Sequence, residues 1–146
     1  MSGQSKENQE SQLTAGPADD QEKVAPGQID ADASAEFQQT DSGLGYRILR
    51  SGSEEKPTRS DAVEVHYKGW LDDDGIFDSS YRRGETISFG LTQVIAGWTE
   101  GMQLIGVGGM IELEIPADLG YGGRGVPGTI PPDATLHFVV ELFGIK

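Results

Sequence analysis

From Asp41 onward, apolar and polar residues alternate with a period of two, the spacing of a strand that buries one face. Tyr46 and Ile48 alternate with Arg47 and Leu49; Val63, Val65 and Tyr67 alternate with Glu64, His66 and Lys68; Ile111, Leu113 and Ile115 alternate with Glu112 and Glu114. The run from Thr135 to Ile145 sets Leu136, Phe138, Val140 and Leu142 on one face and His137, Val139 and Glu141 on the other, which predicts a long C-terminal strand. Between these runs, Val94 to Gln103 is the best helical segment, because Trp98 and Met102 share a face while Thr99, Glu100 and Gln103 are polar. Gly97 and Gly101 weaken it, so only two or three turns are expected. A short helix over one face of an antiparallel sheet of about five strands closes one core in the α+β class.

At 146 residues the chain has room for one ordinary domain. Residues 1–40 are rich in Gln, Glu, Asp, Ser, Ala and Pro, with Leu13, Val24, Ile29 and Phe37 scattered at no fixed period. Such a segment buries too little surface to offset its ordering entropy, so the expected organisation is a disordered acidic tail over 1–40 and one folded domain over 41–146. The tail has no heptads, so a helical dimerisation arm is not expected and the chain reads as a monomer. A formal net charge of -13 argues against nucleic acid and anionic membrane surfaces, both of which bind through clustered Lys and Arg. No run approaches the ~20 apolar residues of a membrane span, and the N-terminus lacks the apolar stretch of a secretory signal. A cytoplasmic protein is the expectation, or a periplasmic or secreted one if a leader has been removed.

Several motifs match only in part. Gly120, Gly122 and Gly125 fit G-x-G-x-x-G, but the prolines after Val126 prevent the helix that a dinucleotide pyrophosphate needs. Asp72, Asp73, Asp74 and Gly75 resemble part of a calcium loop, yet Trp70 and Tyr81 stand where oxygen ligands belong, and a hairpin turn explains the run better. His66 and His137 fall on the polar phase of their strands and belong to no spaced ligand set, so no metal or other cofactor is expected. With no cysteine there is no thiol chemistry.

What remains is a concentration of aromatic and apolar residues near loops. Tyr67, Phe77, Val94, Ile95, Trp98, Tyr121, Ile130 and Phe138 come from different elements and are placed to converge on a concave pocket, although core packing explains Trp98 or Phe138 alone equally well. The long Gly- and Pro-rich loop between the last two strands is where function is expected.

Three segments, VHYKGWLDDDGIFDSSYRRG from Val65, QVIAGWTEGMQLIGVGG from Gln93 and LGYGGRGVPGTIPPDATLHFVVEL from Leu119, together resemble the FKBP-type peptidyl-prolyl cis/trans isomerases, the tacrolimus-binding immunophilins. The resemblance runs from about Ser42 to Lys146. It implies a twisted antiparallel sheet of five to six strands wrapped around one short α-helix, and catalysed rotation of X-Pro bonds in polypeptides as an aid to folding. It implies Trp98 as the pocket floor, with Tyr67, Phe77, Val94, Ile95 and Phe138 as walls and Val126 and Ile130 from the loop. Asp78 resembles the family's acidic residue and Arg83 its partner; Tyr121 and the Ile95 N–H resemble donors to substrate carbonyls. Asp78 then either acts on the rotating carbonyl or fixes Tyr67 and Arg83, and the second role is preferred. Ile87 stands where the family often has Phe, and Val126 and Thr129 replace larger or more apolar residues. The resemblance also brings in macrolides of the tacrolimus or rapamycin type as ligands. The competing functions are a proline-directed binding module or chaperone with incidental isomerase activity, and a domain carried by a tail that recruits a partner.

Overall fold

The computed structural model describes residues 15–146. Its strands are β1 (Gln38–Gln39), β2 (Gly45–Arg50), β3 (Ala62–Trp70), β4 (Ile76–Ser79), β5 (Ile87–Gly90), β6 (Met110–Ile115) and β7 (Leu136–Ile145). All pair antiparallel in one sheet ordered β1-β2-β6-β7-β3-β4, with β5 also on β3. Two helices interrupt them, α1 (Ser80–Arg83) and α2 (Ala96–Gly101), the latter continued by a 3-10 turn over Met102–Leu104. The α+β expectation of a twisted sheet around a short helix holds, with α2 inside the predicted segment and β7 nearly coincident with the predicted C-terminal strand. The four-residue α1 was not foreseen: Ser79 caps it by accepting from the Arg82 N–H, and Gly84 at φ 80° ends it.

On one face of the sheet, Val63, Val65, Ile111, Leu113, Val140 and Leu142 pack with Trp98 and Met102 of the α2 segment. Gly97 does more here than weaken the helix. A Cβ on it would stand 2.7 Å from Ile115 Cγ2, so its hydrogen lets α2 approach β6.

The opposite face departs from the alternation argument. Its polar phase was read as the outward side of half-buried strands, yet His66, Lys68, Glu112 and Glu141 are buried there, beside a second apolar cluster of Leu49, Trp70, Tyr81, Met110 and Val139. The cover is the segment expected to be a disordered tail. Residues 15–35 run as a strap across this face: Ala15 and Ile29 join the cluster, the Asp30 N–H donates to the Leu49 carbonyl at 2.8 Å, and the Gly27 N–H donates to Glu141 at 3.1 Å. Composition misses the strap because it adds to an existing apolar face and needs no core of its own. Residues 1–14 of the expected tail lie outside the described residues.

The centre of β3 is bordered unusually. Along one edge, β5 pairs with Ala62 to Val65 and β4 with Lys68 to Trp70, which leaves His66 and Tyr67 without a strand partner on that side. The Ser80 hydroxyl of α1 fills the gap: it accepts from the Tyr67 N–H at 2.7 Å, donates to the Tyr67 carbonyl at 3.3 Å, and bonds His66 Nδ1 at 2.7 Å. His66 also stacks on Tyr81, ring centroids 4.7 Å apart. Burial, chiefly, holds the His66 imidazole below its ordinary value of 6.5; Arg83 pushes the same way, and Glu141 and Glu64 oppose it. The unfolded chain therefore binds this proton more readily, so the contribution is intact above pH 6.5 and is lost as pH falls below it. The melting temperature should fall between pH 7 and pH 5.5, and His66→Gln should flatten that slope in a buffer series; equal slopes would exclude His66 as the titrating group.

Candidate active site

Between the sheet and α2 lies a cavity of about 410 Å³, lined by Tyr67, Phe77, Asp78, Phe89, Gln93, Val94, Ile95, Trp98, Tyr121 and Phe138. Each side chain arrives by a simple local rule. Tyr67 and Phe138 sit on the inward phase of β3 and β7, Phe77 and Asp78 are neighbours on β4, and Val94 and Ile95 lead into α2, which carries Trp98.

Trp98, only 4% exposed, is the hub of the aromatic set. Tyr67, Phe89 and Phe138 meet it edge to face at centroid distances of 5.4, 5.4 and 5.5 Å, and Phe77 meets Phe138 at 5.6 Å and 90°. Edge-to-face contacts are the favoured geometry for quadrupolar rings, and with Tyr67 against Phe89 at 5.8 Å five of them gather in this patch and hold the cavity wall.

One corner is polar. The Tyr67 hydroxyl donates a short hydrogen bond to Asp78 Oδ2, and Arg83 Nη1 donates to Asp78 Oδ1 at 2.8 Å while Nη2 reaches the Tyr67 hydroxyl at 3.4 Å. Burial, with help from the Asp78 carboxylate, pushes the Tyr67 phenol up to about 12, so it keeps its proton throughout the physiological range. At the mouth, Tyr121 is 42% exposed. Among the described residues nothing accepts from the Ile95 N–H, one of the free donors that open a helix.

Of the residues singled out from the sequence, Tyr67, Phe77, Asp78, Val94, Ile95, Trp98, Tyr121 and Phe138 line the cavity, and Arg83 reaches it through Asp78. Ile87, Val126 and Ile130 do not line it. Ile87 pairs with Val65 and packs on the main core, and Val126 and Ile130 bridge each other across a tight loop in which Ile130 is buried. Sequence reasoning missed Phe89 and Gln93. Phe89 stands two residues from Ile87 on β5 and so shares its face, the signal that would have found it.

Gly69 sets the width of this cavity. A Cβ there would lie 2.6 Å from Phe138 Cε1 and 2.7 Å from Phe77 Cζ. Gly69→Ala should therefore push both rings off their positions, costing about 1–3 kcal/mol and weakening ligand binding; urea melts and peptide titration of the variant check both effects, and unchanged binding would show that these walls do not set the cavity's fit.

Residues 53–143 match the family model described as FKBP-type peptidyl-prolyl cis-trans isomerase. The FKBP-type peptidyl-prolyl cis-trans isomerase FkpA of Escherichia coli strain K12 is 54% identical over 104 residues, covering 71% of this chain and 38% of that protein. The FKBP-type 22 kDa peptidyl-prolyl cis-trans isomerase of the same strain is 48% identical over 106 residues, covering 73% of this chain and 52% of that protein. The chain thus spans roughly two fifths to a half of these curated relatives. Among solved structures, FkpA from Escherichia coli superposes with a TM-score of 0.74 at 50% identity, covering 77% of this chain and 53% of that one. The crystal structure of AtFKBP13 gives 0.69 at 33% identity, covering 77% of this chain and 100% of that one. With these motifs in register on this sheet, the chain belongs to the FKBP-type peptidyl-prolyl cis-trans isomerase family.

Proposed function

We propose that the chain accelerates cis/trans rotation of X-Pro peptide bonds in polypeptides and thereby assists folding. The observation that carries this is the aromatic cavity floored by Trp98 with a hydrogen-bonded polar corner, Tyr67–Asp78–Arg83, and no Ser, Thr, Cys, His or Lys nucleophile among its described lining residues. None is needed. The barrier, about 18–20 kcal/mol, is the lost resonance of a planar amide, and removing roughly 5–7 kcal/mol brings an event of tens to hundreds of seconds into the millisecond range.

The prolyl ring seats on the Trp98 indole between Tyr67, Phe77 and Phe138. Tyr121 and the Ile95 N–H donate to carbonyls flanking the proline and hold the chain in the turn that a near-cis prolyl bond prefers. Interactions made only in the twisted geometry lower the barrier. Asp78 holds Tyr67 and Arg83 in place: both of its oxygens are already engaged, one by each partner. On this reading the chain acts as a monomer on proline-containing polypeptides, and the same cavity is where a macrolide of the tacrolimus or rapamycin type would seat.

Asp78→Val, Tyr121→Phe and Phe138→Tyr should each slow isomerisation of a short X-Pro peptide about tenfold, the worth of one lost hydrogen bond or one misplaced ring, without unfolding the domain. A protease-coupled or NMR exchange assay measures this. Unchanged rates in all three reject the site assignment, whereas slow wild-type turnover with strong suppression of client aggregation favours a chaperone.

A further inference from the structure

The strap over residues 15–35 lies outside the matched residues 53–143, yet it touches the element that carries one member of the polar corner. A helix of four residues satisfies almost none of its own carbonyls. In α1 the Gly84 N–H returns to the Ser80 carbonyl, but the Tyr81 carbonyl has no partner within the turn. The strap supplies two: the N–H groups of Lys23 and Val24 donate to it at 2.9 and 3.3 Å. One residue on, Arg82 Nε donates to Asp19 Oδ2 at 2.6 Å and Nη2 reaches Oδ1 at 3.4 Å, with the Asp19 side chain only 3% exposed. The strap is itself anchored to β3, where buried Lys68 Nζ donates to the Pro17 carbonyl at 2.8 Å and lies 3.4 Å from Glu22.

Consecutive arginines on this turn thus serve opposite sides. Arg82 binds the strap, and Arg83 binds Asp78 and Tyr67 at the cavity. Because α1 is too short to hold its own shape, whatever fixes the Tyr81 carbonyl and Arg82 also fixes where the Arg83 backbone stands. We propose that Asp19 is a positioning residue for isomerisation: through Arg82 and α1, the strap keeps Arg83 on the Asp78–Tyr67 corner. This rests on the functional reading above, since it assigns the strap a part in that same site.

The test is a double-mutant cycle on the full chain. Asp19→Ala should lower kcat/KM for an X-Pro tetrapeptide about threefold when Arg83 is present and leave it unchanged when Arg83→Ala is already in place, because both variants remove one interaction. A purely structural strap predicts the same loss in both backgrounds, or none in either, and each result overturns the proposal. Urea midpoints report stability separately; if Asp19→Ala does not fold, Asp19→Asn keeps the acceptor, removes the charge and replaces it in the cycle. A wild-type chain without turnover would sink the functional reading instead. The Asp78 carboxylate ¹³C resonance then decides the positioning claim by itself, shifting in the Asp19 variant if the strap holds Arg83 and staying fixed if it does not.

Discussion

Trp98→Ala should lower the unfolding free energy by about 3–5 kcal/mol and abolish measurable prolyl isomerisation. The indole is nearly inaccessible and takes three ring edges, from Tyr67, Phe89 and Phe138, each worth ~0.5–1.5 kcal/mol beyond its buried area. One side of it, however, already faces a cavity of about 410 Å³, so solvent can follow the truncation there and the loss should sit toward the lower end of that range. Activity falls for a separate reason: without the indole the prolyl ring has no floor. Equilibrium urea unfolding, read from the remaining Trp70, measures the first effect and peptide exchange the second. A loss under about 1.5 kcal/mol would mean that the aromatic set repacks around the gap, and Trp98 would then not be the hub of the wall.

Glu141→Ala should cost about 3 kcal/mol at neutral pH, although Glu141 lies on the face away from the cavity. Its carboxylate accepts from the Tyr81 hydroxyl at 2.7 Å, from Arg50 Nη2 at 2.7 Å and from the Gly27 N–H at 3.1 Å. Burial pushes this carboxyl up, but those three donors outweigh it and hold the group below its ordinary value of 4.5. The sign follows. Stability from this cluster is complete above pH 4.5 and is lost as acid protonates the folded carboxylate. Urea melts at pH 7 and in acid should show the variant's deficit shrinking at low pH, and a deficit that stays constant would show that the carboxylate's charge is not what the donors recognise. Arg50 is partly solvated, so most of the loss comes from the Tyr81 hydroxyl and the Gly27 amide left without an acceptor.

Much of the site was legible because period and motif spacing act locally. Tyr67 and Phe138 follow from strand phase, Trp98 from its place in the short helix, and Asp78 and Tyr121 from family motifs. Phe89 shares a face of β5 with Ile87, and which residue of that strand borders a cavity depends on how far the strand reaches past its neighbour; Gln93 lies in the turn beyond, where no period applies. Val126 and Ile130 are expected in the pocket, but the loop closes on itself with their backbones bridged and both residues packed on the main core, an outcome of loop closure that has no period to read. The strap was invisible for a different reason. Asp19, Glu22 and Gly27 read as solvated tail residues until their partners Arg82, Lys68 and Glu141, distant in sequence, are brought beside them.

Alternation by itself determined four of the strands, β2, β3, β6 and β7, and the core under α2, since a period of two puts the apolar side chains of each on one face and a short glycine-bearing helix can cover that face. Folding in three dimensions alone decided that the second face of the sheet is also covered, that Ser80 completes the edge of β3 beside Tyr67, and that Arg82 and Arg83 face opposite partners. Those outcomes rest on contacts between residues far apart in the chain, whose energies depend on the neighbour and not on the residue.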